Sequence, residues 1–387
     1  MKYLASLLLL VGISVVRAYE ECYACGIVTV EDDIKWGVED NDWCIIGSKC
    51  NNSNALKQCF SFPDYLCCEG CNVVEETAEG KWGVENNHWC GIKDSCFSNN
   101  NNNNNNNQAV QSNYKYDSAI KFKEAPGGYT NPCQKAGKIV KENYNGVNGG
   151  NSLYVYLPYN YDKNKQYNIF YLMHGGGENE STIFFNNDVK LQNILDHMIM
   201  NGELEPLIVV TPTFNKCEAR TFYKEFRESV VPFVEGKYST YAKSTSPADI
   251  KASRMHRAFG GFSMGSASTW AVLVNCLDIV GYYMPLSGDN WEANGGYGKA
   301  KSVADAIDKS GLQKNQYFIF CATGSEDIAY PNMNPQIDEM KKMPQFIYTS
   351  DFSKGNFYYL VANGKTHWWG YVKHYIYDAL PSFFHEG

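Results

Sequence analysis

The 387-residue sequence predicts an α/β domain with a mostly parallel sheet, preceded by two small disulfide-rich β mini-domains. Three observations carry that expectation. Ten of the 14 cysteines fall before residue 100, and the text of that region repeats at a shift of 46 residues. From about Tyr116 onward, short β-rich runs alternate with amphipathic stretches, the pattern of a parallel sheet covered by helices on both faces. Hydrophobic residues make up 44% and charged residues 20%, so the chain can bury a core. That composition excludes disorder throughout, a collagen repeat and a polytopic membrane protein.

The net charge of -8 argues against a nucleic-acid partner, whose phosphates need a basic face. The charge is unevenly spread. Residues 19–98 hold 15 Asp and Glu against 5 Lys, whereas residues 99–387 are neutral. A small acidic part is therefore joined to a large neutral one.

The first element is Met1-Lys2-Tyr3, an apolar run from Leu4 to Val16, and Arg17-Ala18. A basic start, a stretch too short to span a bilayer and a small residue at its end read as a secretory signal peptide over residues 1–18. The alternative is a membrane anchor. No later segment is apolar for long enough to span, so the expectation is a secreted, extracellular protein without a membrane partner.

Secretion changes the meaning of the cysteines. Dense cysteines in a short secreted segment form a disulfide framework, because so little chain cannot bury enough apolar surface. Under the 46-residue shift, Cys22, Cys25, Trp36, Trp43, Cys44 and Cys50 map onto Cys68, Cys71, Trp82, Trp89, Cys90 and Cys96. Lys35-Trp36-Gly37-Val38-Glu39 likewise matches Lys81-Trp82-Gly83-Val84-Glu85. Two similar units follow, a first repeat over 22–50 and a linker with the second repeat over 51–97. Cys59 and Cys67 lie outside the shared pattern and are candidates for a bridge in the connecting loop. Pairing within each repeat stays open, since four cysteines allow three connectivities. The C-x-x-C spacing also allows four-thiolate zinc, a reading the oxidising compartment disfavours. No oxygen-rich calcium loop is present. The tryptophans have two readings: core, or an exposed aromatic face rimmed by acids that suits a protein or sugar ligand.

The second copy, Cys-x-x-Cys followed by Lys-Trp-Gly-Val-Glu-Asn-Asn-His-Trp-Cys-Gly-Ile, resembles the fungal dockerin, a module similar to the family-ten carbohydrate-binding fold. The resemblance covers residues 22–96. It implies that Trp36, Trp43, Trp82 and Trp89 form the docking face and that the partner is a cellulosome scaffold protein. The first copy departs from it, with Asp42 in place of His and Ile45 in place of Gly. Next, Ser98 is followed by nine asparagines, Asn99 to Asn107. With no apolar face to bury, residues 98–114 read as an Asn-rich solvated tether.

In the remaining domain, 115–387, the β-rich runs are Leu153–Leu157, Tyr167–Met173, Leu207–Thr211, Arg257–Phe262, Gly281–Pro285, Tyr317–Ala322 and Phe357–Val361. Helical patterns lie at Val189–Met200, Arg220–Tyr238 and Ser266–Leu277. The run at Arg257–Phe262 leads into Gly261-Phe262-Ser263-Met264-Gly265, the spacing of a nucleophile elbow, where only small residues two positions either side of the serine avoid a clash. That makes Ser263 the candidate nucleophile of an α/β-hydrolase domain. Its partners should follow in the order acid, then histidine. Asp327 lies just after the run ending at Ala322, and His367 just after the run ending at Val361. Glu326 is expected to point elsewhere, and Asp289 is the competing acid. His174, His256, His374 and His385 read as structural, surface or packing residues. Upstream, His174-Gly175-Gly176-Gly177 follows a strand, and its amides can face a developing oxyanion. No Lys-Ser/Thr follows, so a phosphate loop is discounted.

Gly-Gly-Phe-Ser-Met-Gly, Met-Pro-Leu-Ser-Gly-Asp-Asn-Trp, Ala-Thr-Gly-Ser-Glu-Asp-Ile-Ala-Tyr and Thr-His-Trp-Trp-Gly-Tyr together resemble a feruloyl esterase domain of carbohydrate esterase family one, as found in cellulosomal xylanases. The resemblance implies Ser263, Asp327 and His367 as the catalytic triad and Gly177 and Met264 as oxyanion donors. It requires no metal and no cofactor. Ser266, where many relatives carry Gly, is expected to matter little. Trp291 and Trp368 are candidates to hold a phenolic ring, with Trp368 and Trp369 as a buried pair the alternative, and Asp289 is a candidate to reach a phenol or sugar hydroxyl. The expected substrate is feruloylated arabinoxylan. An acetylxylan esterase, or an inactive carbohydrate-binding or scaffold protein, is the competing function.

Overall fold

The computed structural model describes residues 114–386 throughout and, before them, parts of 22–46 and 59–93. The expected signal peptide over 1–18 and all but the last residue of the expected tether over 98–114 lie outside the described residues. The chain divides into two compact units, Met1–Asn107 and Gln108–Gly387.

In the first unit the repeat in sequence becomes a repeat in register. One antiparallel sheet is built from β1 (Thr29–Glu31), β2 (Ile34–Glu39) and β3 (Asp42–Ile45), the other from β4 (Glu75–Glu76), β5 (Lys81–Glu85) and β6 (His88–Gly91). Trp36 pairs with Ile45 and Gly37 with Cys44, as Trp82 pairs with Gly91 and Gly83 with Cys90. Side chains alternate between faces along a strand. Trp36 and Trp43 therefore share one face, Trp82 and Trp89 the equivalent face, and Cys44 and Cys90 point the other way. Those two cysteines close disulfides to Cys22 and Cys68, each across 22 residues. Cys59 and Cys67 form the bridge expected of the connecting loop. Thiols bound in these three disulfides cannot serve as zinc thiolates.

The second unit holds an eight-stranded sheet. Its strands are β7 (Lys138–Gly146), β8 (Gly149–Leu157), β9 (Asn168–Met173), β10 (Leu207–Thr211), β11 (Arg257–Phe262), β12 (Tyr282–Leu286), β13 (Phe318–Gly324) and β14 (Phe357–Ala362). The order is β14-β13-β12-β11-β9-β10-β8-β7. Strands β9 to β14 are mutually parallel, and β8 joins β10 antiparallel and carries the hairpin partner β7. The central strands are buried on both faces, which explains their continuous apolar runs. Ile169, Tyr171 and Met173 serve one hydrophobic core and Phe170 and Leu172 the other. The connections diverge between β9 and β11, the switch point where ligands of open α/β sheets bind.

Three of the departures from the sequence reading have a plain local cause. Strand β7 has no counterpart among the β-rich runs, because Lys-Ile-Val-Lys-Glu-Asn-Tyr-Asn-Gly is an edge strand of mostly polar residues, with only Glu142 and Tyr144 buried. The helix Tyr330–Met340 carries Pro335 and two asparagines, which mask its periodicity. The stretch Arg220–Tyr238 is interrupted by a π-helical turn over Phe226–Val230.

Residues 114–125 form a strap across the last helix, Trp369–Ala379. The Lys123 amide donates to Asp378 Oδ2 at 3.0 Å and the Ala125 amide to His374 Nδ1 at 3.0 Å. Tyr114 stacks on His385 with ring centroids 4.0 Å apart, and the hydroxyls of Tyr116 and Tyr282 both donate to Glu386. Burial pushes Asp378 up to about 7, against the opposing pull of the Lys123 amide and charge. A carboxyl raised in the folded state adds stability that is complete below its unfolded pKa, near 4, and is lost as the pH rises through about 7. Asp378→Asn, neutral throughout, should recover roughly 2–3 kcal/mol of the loss between pH 5 and pH 8. Thermal melts at the two pH values test this, and parallel pH dependence of variant and parent would refute it.

Candidate active site

The elbow after β11 is dictated by its glycines. A Cβ on Gly261 would meet the Gly265 carbonyl at 2.5 Å, and one on Gly265 would press on the carbonyls of Met173 and His174. Ser263 between them sits at φ 57° and ψ -113°, a strained conformation for a residue with a Cβ. The turn is held by the Ser263 amide donating to Leu286 O at 3.0 Å, and the helix Met264–Cys276 starts directly behind it. Ser266, expected to be of little consequence, donates from Oγ to Gly288 O at 2.8 Å and so ties this helix to the loop after β12.

The other partners come from β13 and β14, the two strands farthest along this side of the sheet. Their following loops are stitched together: the Ser325 amide donates to Ala362 O at 2.9 Å, and the Glu326 amide to Lys365 O at 3.1 Å. This brings His367 Nδ1 to 2.7 Å from Asp327 Oδ1 and His367 Nε2 to 2.9 Å from Ser263 Oγ. The Ala329 amide also donates to Asp327 Oδ1, at 2.7 Å. Burial of Asp327 acts to raise its pKa, but hydrogen bonds from His367, the Ala329 amide and Ser287 outweigh it and keep the carboxyl below its usual range. The ionised acid accepts from Nδ1–H, which leaves Nε2 able to take a proton from the serine.

The remaining candidates fall around this chain. Glu326 is exposed. Asp289, the competing acid, is buried and ion-paired to Lys299 Nζ at 2.5 Å. Trp291 is 42% exposed and Trp368 44% exposed, whereas Trp369 is buried, so Trp368 and Trp369 do not form a buried pair. Trp368 Nε1 donates to Asp188 Oδ2 at 3.2 Å. His174 is structural: Nδ1 donates to Gly175 O at 2.7 Å, and Nε2, 2.7 Å from Thr213 Oγ1, then accepts from that hydroxyl. Burial lowers its pKa and keeps the ring neutral. His256 stacks on Tyr241, and His374 packs beneath the strap, with burial pushing each down to about 4. The amides of Gly177 and Met264, and of Gly176 between His174 and the elbow, donate to no protein group among the described residues. Glu178 does not stand out in the sequence, although it directly follows the three glycines. Its carboxylate accepts from the Gly175 amide and from Trp369 Nε1. In the first unit, Trp43 and Trp89 are 46% and 42% exposed, while Trp36 and Trp82 are half-buried.

Both units of the chain resemble known proteins. Residues 15–46 and 58–92 match the family described as a cellulose or protein binding domain. The chain is 70% identical over 277 residues to endo-1,4-beta-xylanase Y of Acetivibrio thermocellus, covering 71% of this chain and 26% of that protein. It thus spans about a quarter of the length of that relative. A solved serine-to-alanine mutant of the feruloyl esterase module from Clostridium thermocellum, complexed with sinapinate, is 70% identical with a TM-score of 0.70, covering 70% of this chain and 97% of that one. A ferulic acid esterase from the anaerobic fungus Anaeromyces mucronatus, at 17% identity, 69% and 99% coverage and a TM-score of 0.51, shares the fold. Among the described residues no helix is long and apolar enough to cross a membrane. A 70% match spanning nearly the whole of a feruloyl esterase module means that the chain belongs to the feruloyl esterase family.

Proposed function

We propose that the chain is a secreted serine esterase that releases ferulic acid from feruloylated arabinoxylan, with Ser263, His367 and Asp327 as its catalytic triad. The observation that carries the reading is the unbroken hydrogen-bonded series from Ser263 Oγ through His367 to Asp327. Ser263 Oγ attacks the ester carbonyl carbon while His367 Nε2 takes its proton. Asp327 holds the imidazole tautomer and stabilises the imidazolium that forms. The amides of Gly177 and Met264 stabilise the oxyanion. As the tetrahedral adduct collapses, the bond to the sugar oxygen breaks and His367 returns the proton to the departing alcohol. Water then enters, gives a proton to His367 and attacks the acyl-enzyme, and ferulic acid leaves as Ser263 regains its hydrogen. Trp368, exposed beside the histidine loop, and Trp291, exposed in the loop after β12, are proposed to flank the phenolic ring, and Asp289, in that same loop and paired to Lys299, to reach a phenol or sugar hydroxyl.

The same reading assigns residues 1–18 to a signal peptide, 22–50 and 51–97 to two dockerin repeats, 98–114 to a tether and 115–387 to the catalytic domain. The family match across both repeats and the paired tryptophan faces support docking to a cellulosome scaffold through Trp36, Trp43, Trp82 and Trp89. One fractionation tests both halves. The full chain is mixed with insoluble cellulose or with scaffold protein, and each bound fraction is assayed on methyl ferulate and on acetylated xylan. Retention on scaffold with preference for methyl ferulate is expected. Faster acetyl release would replace the substrate assignment, and retention on cellulose alone would make the repeats polysaccharide-binding.

A further inference from the structure

The Gly-rich loop after β9 and the histidine loop after β14 arise from strands that are not neighbours. They must nevertheless hold fixed positions about Ser263, because an oxyanion donor works only if it is in place before charge develops. Glu178 bridges them. Its Oε2 accepts from the Gly175 amide at 2.7 Å and from Trp369 Nε1 at 2.9 Å, and its Oε1 lies 3.0 Å from the same indole nitrogen. Trp369 follows His367 by two residues and packs on Phe262 with ring centroids 4.9 Å apart. Phe262 in turn lies 4.5 Å from the His367 ring. On the loop side, the Gly175 carbonyl is held by His174, so in a planar trans peptide the Gly176 N–H points away from that histidine. Glu178 directly follows the glycines proposed to face the oxyanion, and because a carboxylate near such a charge would oppose it, its place in that loop calls for a compensating task.

We propose that Glu178 is a positioning residue for ester hydrolysis, locking the 174–177 loop to the arm that carries His367. The proposal rests on the serine-esterase reading above. Its test uses the full chain, with active sites counted by an aryl phosphonate and kcat and KM measured per titrated site on methyl ferulate. Glu178→Ala is expected to lower kcat about 10- to 30-fold with KM changed less than about twofold, because the variant misplaces the oxyanion donors and leaves the groups that bind the substrate untouched. Glu178→Gln keeps a carbonyl acceptor and should recover to within about threefold of the parent. A kcat for Glu178→Ala within about threefold of the parent, or Glu178→Gln as slow as Glu178→Ala, overturns the assignment. Ser263→Ala runs alongside: if it still hydrolyses the ester, the esterase reading fails, and if it is inactive, any failure belongs to Glu178 alone. Should Glu178→Ala not fold, Trp369→Phe combined with Glu178→Gln replaces it. A joint loss smaller than the product of the single losses supports a shared clamp, and a full product overturns it.

Discussion

Ser263→Ala should lower kcat on methyl ferulate by about 10⁵- to 10⁶-fold while leaving KM nearly unchanged. In the proposed mechanism the serine forms the bond that defines the intermediate, so no neighbouring group replaces it. His367→Ala, alone or combined with Ser263→Ala, should cost about as much, since residues acting as one unit are not additive. Stability gives a second signature. The φ of 57° at Ser263 strains any residue with a Cβ, and alanine keeps that Cβ. Ser263→Gly should therefore be equally inactive yet more stable by about 1 kcal/mol. Turnover of Ser263→Ala within a hundredfold of the parent would end the triad reading, and a glycine variant that melts lower would end the strain argument.

The largest loss of stability is expected far from the chemistry. Arg257 opens β11, and Glu235 lies in the helix Val231–Lys237; both side chains are 1% exposed. Arg257 Nε is 2.5 Å from Glu235 Oε1, and an Arg257 terminal nitrogen is 2.7 Å from Oε2. Tyr171 and Thr240 complete the carboxylate at 3.0 Å each, and Ser253 Oγ takes another guanidinium proton. Glu235→Ala leaves a cation in the core without its counter-charge, which should cost about 3–5 kcal/mol. Replacing both partners with apolar residues of similar size should cost less, because nothing charged then remains buried. Denaturant unfolding measures both. A single-variant loss under about 1 kcal/mol would mean that water or a rearrangement relieves the charge.

Which features were legible in the sequence follows from where their causes lie. Ser263 was readable because the glycine spacing is local, and a Cβ on Gly261 would meet Gly265 within the same turn, although what excludes a Cβ at Gly265 is the distant backbone of Met173 and His174. Asp327 and His367 were readable through topology, since each lies just past a buried apolar strand and parallel strands deliver such loops to one edge. The 46-residue repeat was legible for the same kind of reason, and its two sheets share one pairing register. Glu178 was not, because its partners are its own loop and an indole 191 residues away. The roles of Trp368 and Trp369 were likewise beyond a local reading: adjacent residues at a helix start face different surroundings, and only the packed fold sorts exposed from buried. Strand β7 was hidden because an edge strand needs little apolar surface.

The aromatic clasp of Tyr114 on His385, with Tyr116 and Tyr282 both bonded to Glu386, means that the first and last described stretches of the second unit meet at one spot. A domain whose ends meet can be spliced into a host polypeptide like a bead on a short loop, without stretching either neighbour.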